Sequence, residues 1–162
     1  MRNLIRHKLI LPAAVISVML SASLVYSHCQ IPCGIYDDPA RFQMLAEHIT
    51  TIEKSMKQIT ELSKEEKPNL NQIVRWVQNK EDHADQFSNI VTYYFMAQRL
   101  KPTDKTDTDA YEKYLNKLTL LHHMLVYSMK AKQTTDLSNV EKLKTLLAEF
   151  KTAYFEEHGH EH

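Results

Sequence analysis

Apolar residues recur along this chain at alternating spacings of three and four. Phe42, Leu45, Ile49, Ile52, Met56 and Ile59 form the first series. A seven-residue repeat of this kind is the signature of a helix with one buried face. Asp37-Asp38-Pro39 stands just before it, where Asp38 can cap and proline suits the first helical position. The series fades in the polar run 63–67 and stops at Pro68. A second helix is predicted over residues 71–100, with Ile73, Val77, Ala84, Phe87, Val91 and Tyr94 inward and Trp76, Ile90 and Phe95 widening that face. Such a rod is about 45 Å long. Pro102 and the polar run 103–108 end it. A third helix starts near Asp109 with Tyr111, Leu115, Leu118, Leu121, Leu125 and Met129 on its expected inner face. A fourth starts near Ser138 or Asn139, carries Val140, Leu143, Leu147, Phe150 and Tyr154, and ends by Gly159. Four amphipathic helices on short polar links predict an all-α fold, an antiparallel up-and-down four-helix bundle. The segment before Asp37 has no helical pattern.

Composition supports this reading. The 162 residues include only two glycines, Gly34 and Gly159. Sheet proteins need many tight turns that glycine serves best, so the scarcity favours long helices. The length suits one domain, and there is no internal repeat or low-complexity segment. Formal net charge is zero, and no basic face is evident, which argues against a nucleic-acid partner.

Residues 1–27 have a different character. Arg2, Arg6 and Lys8 form a positive start, residues 9–20 are uncharged and mostly apolar, and residues 21–27 are mostly small, with Val25 and Ser27 placed for a cut before His28. That is the layout of a cleaved signal peptide, and it predicts export to a periplasm or the exterior. The alternative is a retained anchor, since the uncharged run approaches the roughly 20 residues that span a bilayer. On the first reading the membrane is met only through this precursor segment.

Cleavage there would create an unusual amino terminus. The chain's two cysteines, Cys29 and Cys33, would lie within six residues of it, next to His28. A terminal amine, the backbone nitrogen of Cys29 and two thiolates can lie in one plane around a metal, with the His28 imidazole in an axial position. Square-planar nitrogen and sulfur donors suit nickel(II) or copper(II) better than tetrahedral zinc. Anionic thiolate and amidate donors also bring trivalent nickel within reach, which gives a one-electron couple. The competing reading of two cysteines in an exported chain is a disulfide. A thioredoxin-like dithiol would need C-x-x-C, and a haem bundle C-x-x-C-H; neither occurs. A di-iron bundle would need E-x-x-H inside helices, and the spacing occurs only at Glu157 and His160, in the tail.

His28-Cys29-Gln30-Ile31-Pro32-Cys33-Gly34-Ile35-Tyr36 resembles the amino-terminal hook of the nickel superoxide dismutases, H-C-x-x-P-C-G-x-Y, at every fixed position. The resemblance implies a dismutase of superoxide that carries one nickel ion per subunit and assembles as a homohexamer. It implies that His28 supplies amine and axial imidazole, Cys29 an amidate nitrogen and a thiolate, and Cys33 the second thiolate. Pro32 would turn the loop, Gly34 would let the backbone pass close by, and Tyr36 would screen the open face of the metal. Gln30 departs from the aspartate that many members carry, and Asp37-Asp38 doubles an acid that some members have singly. Some members steady the axial imidazole with a carboxylate on the first helix and an arginine of a neighbouring chain; Glu47 and His83 are the candidates here by position.

The expected organisation is a signal peptide over residues 1–27, the hook over 28–36, the bundle over 37–157 and a histidine-rich tail over 158–162. The tail is either a metal-gathering device or an inert polar end. An exported nickel or copper binder without turnover is the alternative function. His122 and His123 are expected to be packing or surface residues. Met44, Met56, Met96, Met124 and Met129 read as core filler. Of the adjacent Tyr93 and Tyr94, one should be buried and one exposed.

Overall fold

The computed structural model describes residues 36–158. The signal segment, the hook residues His28, Cys29 and Cys33, and residues 159–162 of the tail lie outside the described residues. Tyr36 onward forms one compact unit. Its elements are α1 (Asp38–Leu62), α2 (Leu70–Asn89) continuing directly into a π-helical segment (Ile90–Arg99), α3 (Thr108–Gln133) and α4 (Ser138–His158). Among the described residues there is no strand, and no helix is long and apolar enough to cross a membrane.

The helices run alternately up and down. Asp38 of α1 meets Arg99, His48 meets His83, and the Ser55 hydroxyl accepts from Asn79, so position falls along one helix as it rises along the other. Ser128 of α3 likewise faces Ala84 and Ser88, while Lys80 reaches Ala131. Lys144 of α4 pairs with Glu53, and Tyr154 reaches Asp38. The four helices therefore close an antiparallel ring, the bundle the periodicity predicts.

The stripes of α1 and α4 are buried as expected: Phe42, Leu45, Ile49, Ile52, Met56 and Ile59 face Val140, Leu143, Leu147, Phe150 and Tyr154 in the core. One end of the core is aromatic. Phe42 lies 4.9 Å from Phe95, 5.4 Å from Phe150 and 5.6 Å from Tyr154 between ring centroids, spacings at which offset and edge contacts add to simple burial.

Several expectations need correction. Asp37, not Asp38, caps α1: its carboxylate accepts from the Ala40 amide at 3.0 Å, and Pro39 occupies the first turn. The second helix is not α-helical to its end. Residues 90–99 begin with β-branched Ile90, Val91 and Thr92 and continue with Tyr93, Tyr94 and Phe95, a run of poor α-formers, and there the backbone winds as a π-helix. In α3 the buried face is Lys117, Leu120, Leu121, Met124, Ser128 and Ala131. Leu115 and Met129, expected inside, face outward. This helix is apolar on two sides, and a repeat alone does not say which side meets the core. Met44 is also exposed, whereas Met56 and Met124 are core, and Val77 of α2, expected inside, faces outward. Tyr94 is fully buried and Tyr93 exposed, as expected.

Candidate metal centre and its support

The described structure begins at the last residue of the expected hook, and the aromatic end of the bundle receives it. Tyr36 is 42% exposed. Its ring lies under the Arg99 guanidinium, whose central carbon stands 4.4 Å from the ring centroid. The edge of Tyr94 meets it at 6.0 Å and 72°. Two residues on, Asp38 turns inward and is enclosed. Its Oδ1 accepts from Tyr94 Oη at 2.6 Å and Arg99 Nε at 2.9 Å. Its Oδ2 accepts from Arg99 Nη2 at 2.6 Å and Tyr154 Oη at 2.8 Å. Arg99 thus grips Asp38 with two parallel donors, the strongest form of such a pair. The Asp37 amide donates to Tyr94 Oη at 3.0 Å, which ties the backbone between Tyr36 and α1 to the same cluster.

The electrostatics follow from this enclosure. Burial pushes the Asp38 carboxyl up, but hydrogen bonds from Arg99, Tyr94 and Tyr154 and the Arg99 charge outweigh it, leaving it below the usual carboxylate range. Burial and then the Asp38 carboxylate raise the phenols of Tyr94 and Tyr154. Hydrogen bonding to Asp38 raises Arg99 further. The cluster is a fixed ion pair with two neutral phenols, so it holds geometry without exchanging protons at ordinary pH.

The sequence reading missed this cluster. It used Asp38 as a cap and Tyr94 and Tyr154 as core, and it left Arg99 unremarked. The available signal was the second of two adjacent acids, since only one is needed as a cap.

The two positions considered for steadying the imidazole are not brought together. Glu47 is exposed and accepts from Gln43 Nε2 at 2.9 Å. His83 instead meets His48, Nδ1 to Nδ1 at 2.9 Å, so one ring donates and the other accepts. Burial, then the His83 charge, push His48 below its ordinary value against an opposing pull from Glu47. His122 and His123 are exposed neighbours. Among the described residues no group of three or more His, Cys, Asp or Glu could hold a metal ion. The donor set that the sequence offers for a metal, His28 with Cys29 and Cys33, lies outside the described residues.

The described residues define the class: an all-α bundle whose first helix is anchored by an ion pair, a fold that hosts many unrelated chemistries. Residues 23–158 match the family described as nickel-containing superoxide dismutase, a span that includes the H-C-x-x-P-C-G-x-Y segment and every helix among the described residues. The chain belongs to that family: it is an oxidoreductase that dismutates superoxide and uses nickel. No curated protein and no solved structure matches it.

Proposed function

We propose that the dismutase centre of this chain is the segment His28–Tyr36, exposed by cleavage of residues 1–27 during export, with one nickel ion per chain and six chains per assembly. The observation that carries this reading is the donor motif itself, placed after a signal-like segment and ending on Tyr36, whose ring the bundle holds. The His28 amine and imidazole, the Cys29 amide nitrogen and the thiolates of Cys29 and Cys33 would hold the nickel, a nitrogen and sulfur donor set that suits this metal. When bound, nickel supplies a one-electron couple between its divalent and trivalent states, so that two superoxide ions and two protons give dioxygen and hydrogen peroxide.

The chain's own residues set the conditions for that couple. Deprotonated Cys29 and Cys33 donate charge that favours the higher state, and metal binding requires them as thiolates. Tyr36 is partly exposed and gripped from two sides, which suits a screen that admits a small anion. Outward-facing Leu70, Val74 and Met129 supply apolar surface for assembly.

Native mass spectrometry of the protein from its own source tests the whole reading. A hexamer of chains beginning at His28, each with one nickel, is the expected result. Metal-free chains two hydrogens light would mean a Cys29–Cys33 disulfide and overturn it. Copper-loaded chains without turnover would support a binding protein instead. Cys29→Ser and Cys33→Ser are each expected to lose nickel and at least about a hundredfold in activity, the upper range for disturbing even an outer partner of a metal.

A further inference from the structure

The π-helical segment puts two side chains where an α-helix could not. Tyr94 and Arg99 are five residues apart. In an α-helix five residues overshoot one full turn by about 140°, so such a pair faces different sides. A π-helix closes its hydrogen bonds from i to i+5, which returns residues five apart to one side. The Leu100 amide donating to the Phe95 carbonyl at 2.8 Å is such a bond. The result is that Tyr94 and Arg99 both reach Oδ1 of Asp38, at 2.6 and 2.9 Å, and both touch the Tyr36 ring.

We propose that Arg99 is a positioning residue for Tyr36, presented by the π turn and locked in plane by Asp38 and Tyr154. This rests on the reading of residues 28–36 as the metal centre, because only there does the orientation of Tyr36 matter to turnover. The physical case is the fork geometry. Arg99 uses Nε and Nη2 on Asp38, and Nε also donates to Tyr154 Oη at 3.0 Å. Its plane is thereby fixed, and its face is left for the Tyr36 ring at 4.4 Å. An ammonium could replace the charge but not the planar fork or the stacked face. Asp38 and Arg99 are thus one device: the carboxylate fixes the guanidinium, and the guanidinium fixes the ring of Tyr36, the last residue of the motif.

The test uses 3-fluorotyrosine and ¹⁹F NMR on the chain beginning at His28, first metal-free and then nickel-loaded. The Tyr36 resonance is assigned by its loss in Tyr36→Phe. In Arg99→Lys that resonance is expected to narrow and move towards free 3-fluorotyrosine, while those of Tyr111, Tyr114 and Tyr127 stay in place. The nickel-loaded variant is expected to keep one nickel per chain and lose about tenfold in kcat/KM. Asp38→Asn, which frees the guanidinium without removing it, should give a smaller shift in the same direction. An unmoved Tyr36 resonance in both variants would overturn the inference. Because the resonance is read without metal, a shifted Tyr36 in a chain that binds no nickel would uphold the positioning role and sink the dismutase centre instead.

Discussion

Asp37 and Asp38 are adjacent carboxylates in opposite surroundings. The first faces solvent and caps a helix; the second is enclosed by Arg99, Tyr94 and Tyr154. The second is held below the usual carboxylate range. A carboxyl whose folded value lies below its unfolded value stabilises the native state above the unfolded value, ordinarily 3.8, and that stability is lost as pH falls through the folded value. Asp38→Asn should therefore lower stability at pH 7, by about 3 kcal/mol, because it leaves Arg99 without its counter-charge. Urea denaturation over a falling pH series checks this: the gap between variant and parent should shrink as pH falls below 3.8. A gap that persists unchanged at low pH would mean that the ion pair is not its origin. Asp37→Ala should cost about 1 kcal/mol, the usual loss of a helix cap.

Among the elements, α1 and α4 were legible in the sequence because each has one apolar stripe, and a single stripe can only face the core. The stripe of α3 was legible but misassigned, since Leu115 and Met129 mark a second face that the periodicity ranks equally. The π winding was not legible at all: patterns of three and four assume α geometry, and the aromatic run 93–95 satisfies them either way. The hook motif was legible because its chemistry is local, whereas the Asp38 cluster joins α1, the π segment and α4 and needs the fold to exist. Lys80 is a similar case. Apolar spacing gives it no role, yet it is 4% exposed. Its Nζ donates to the carbonyls of Ala131 at 2.9 Å, Thr134 at 3.3 Å and Lys132, which satisfies the end of α3 from a neighbouring helix. Lys80→Met should cost about 2 kcal/mol, the worth of charged hydrogen bonds, and should speed hydrogen exchange in the last turn of α3. A loss below about 0.5 kcal/mol, the range of an ordinary surface change, would show that water serves those carbonyls as well.

At the scale of the whole molecule, the bundle closes its core yet leaves apolar side chains outside. On α2, Leu70 is 70% exposed and Val74 65%, with Val77 on the same side. On α3, Met129 is 54% exposed and Leu115 also faces out. Single exposed apolar residues need no explanation, but stripes at helical spacing mark surfaces that meet a partner. A homohexamer would supply that partner from identical chains. The α2 stripe and the exposed apolar residues of α3 lie away from Tyr36 and Asp38 in sequence, so they can be broken without altering either. Val74→Lys places a charge where an interface would exclude water, while its own chain loses little packing. If the proposed hexamer forms through α2, sedimentation of the nickel-loaded variant should show smaller species than the parent, with far-ultraviolet circular dichroism unchanged. If the charge leaves the assembly at six chains, α2 is not the contact, and Met129→Lys then tests α3. If neither moves it, these stripes are not what joins the chains.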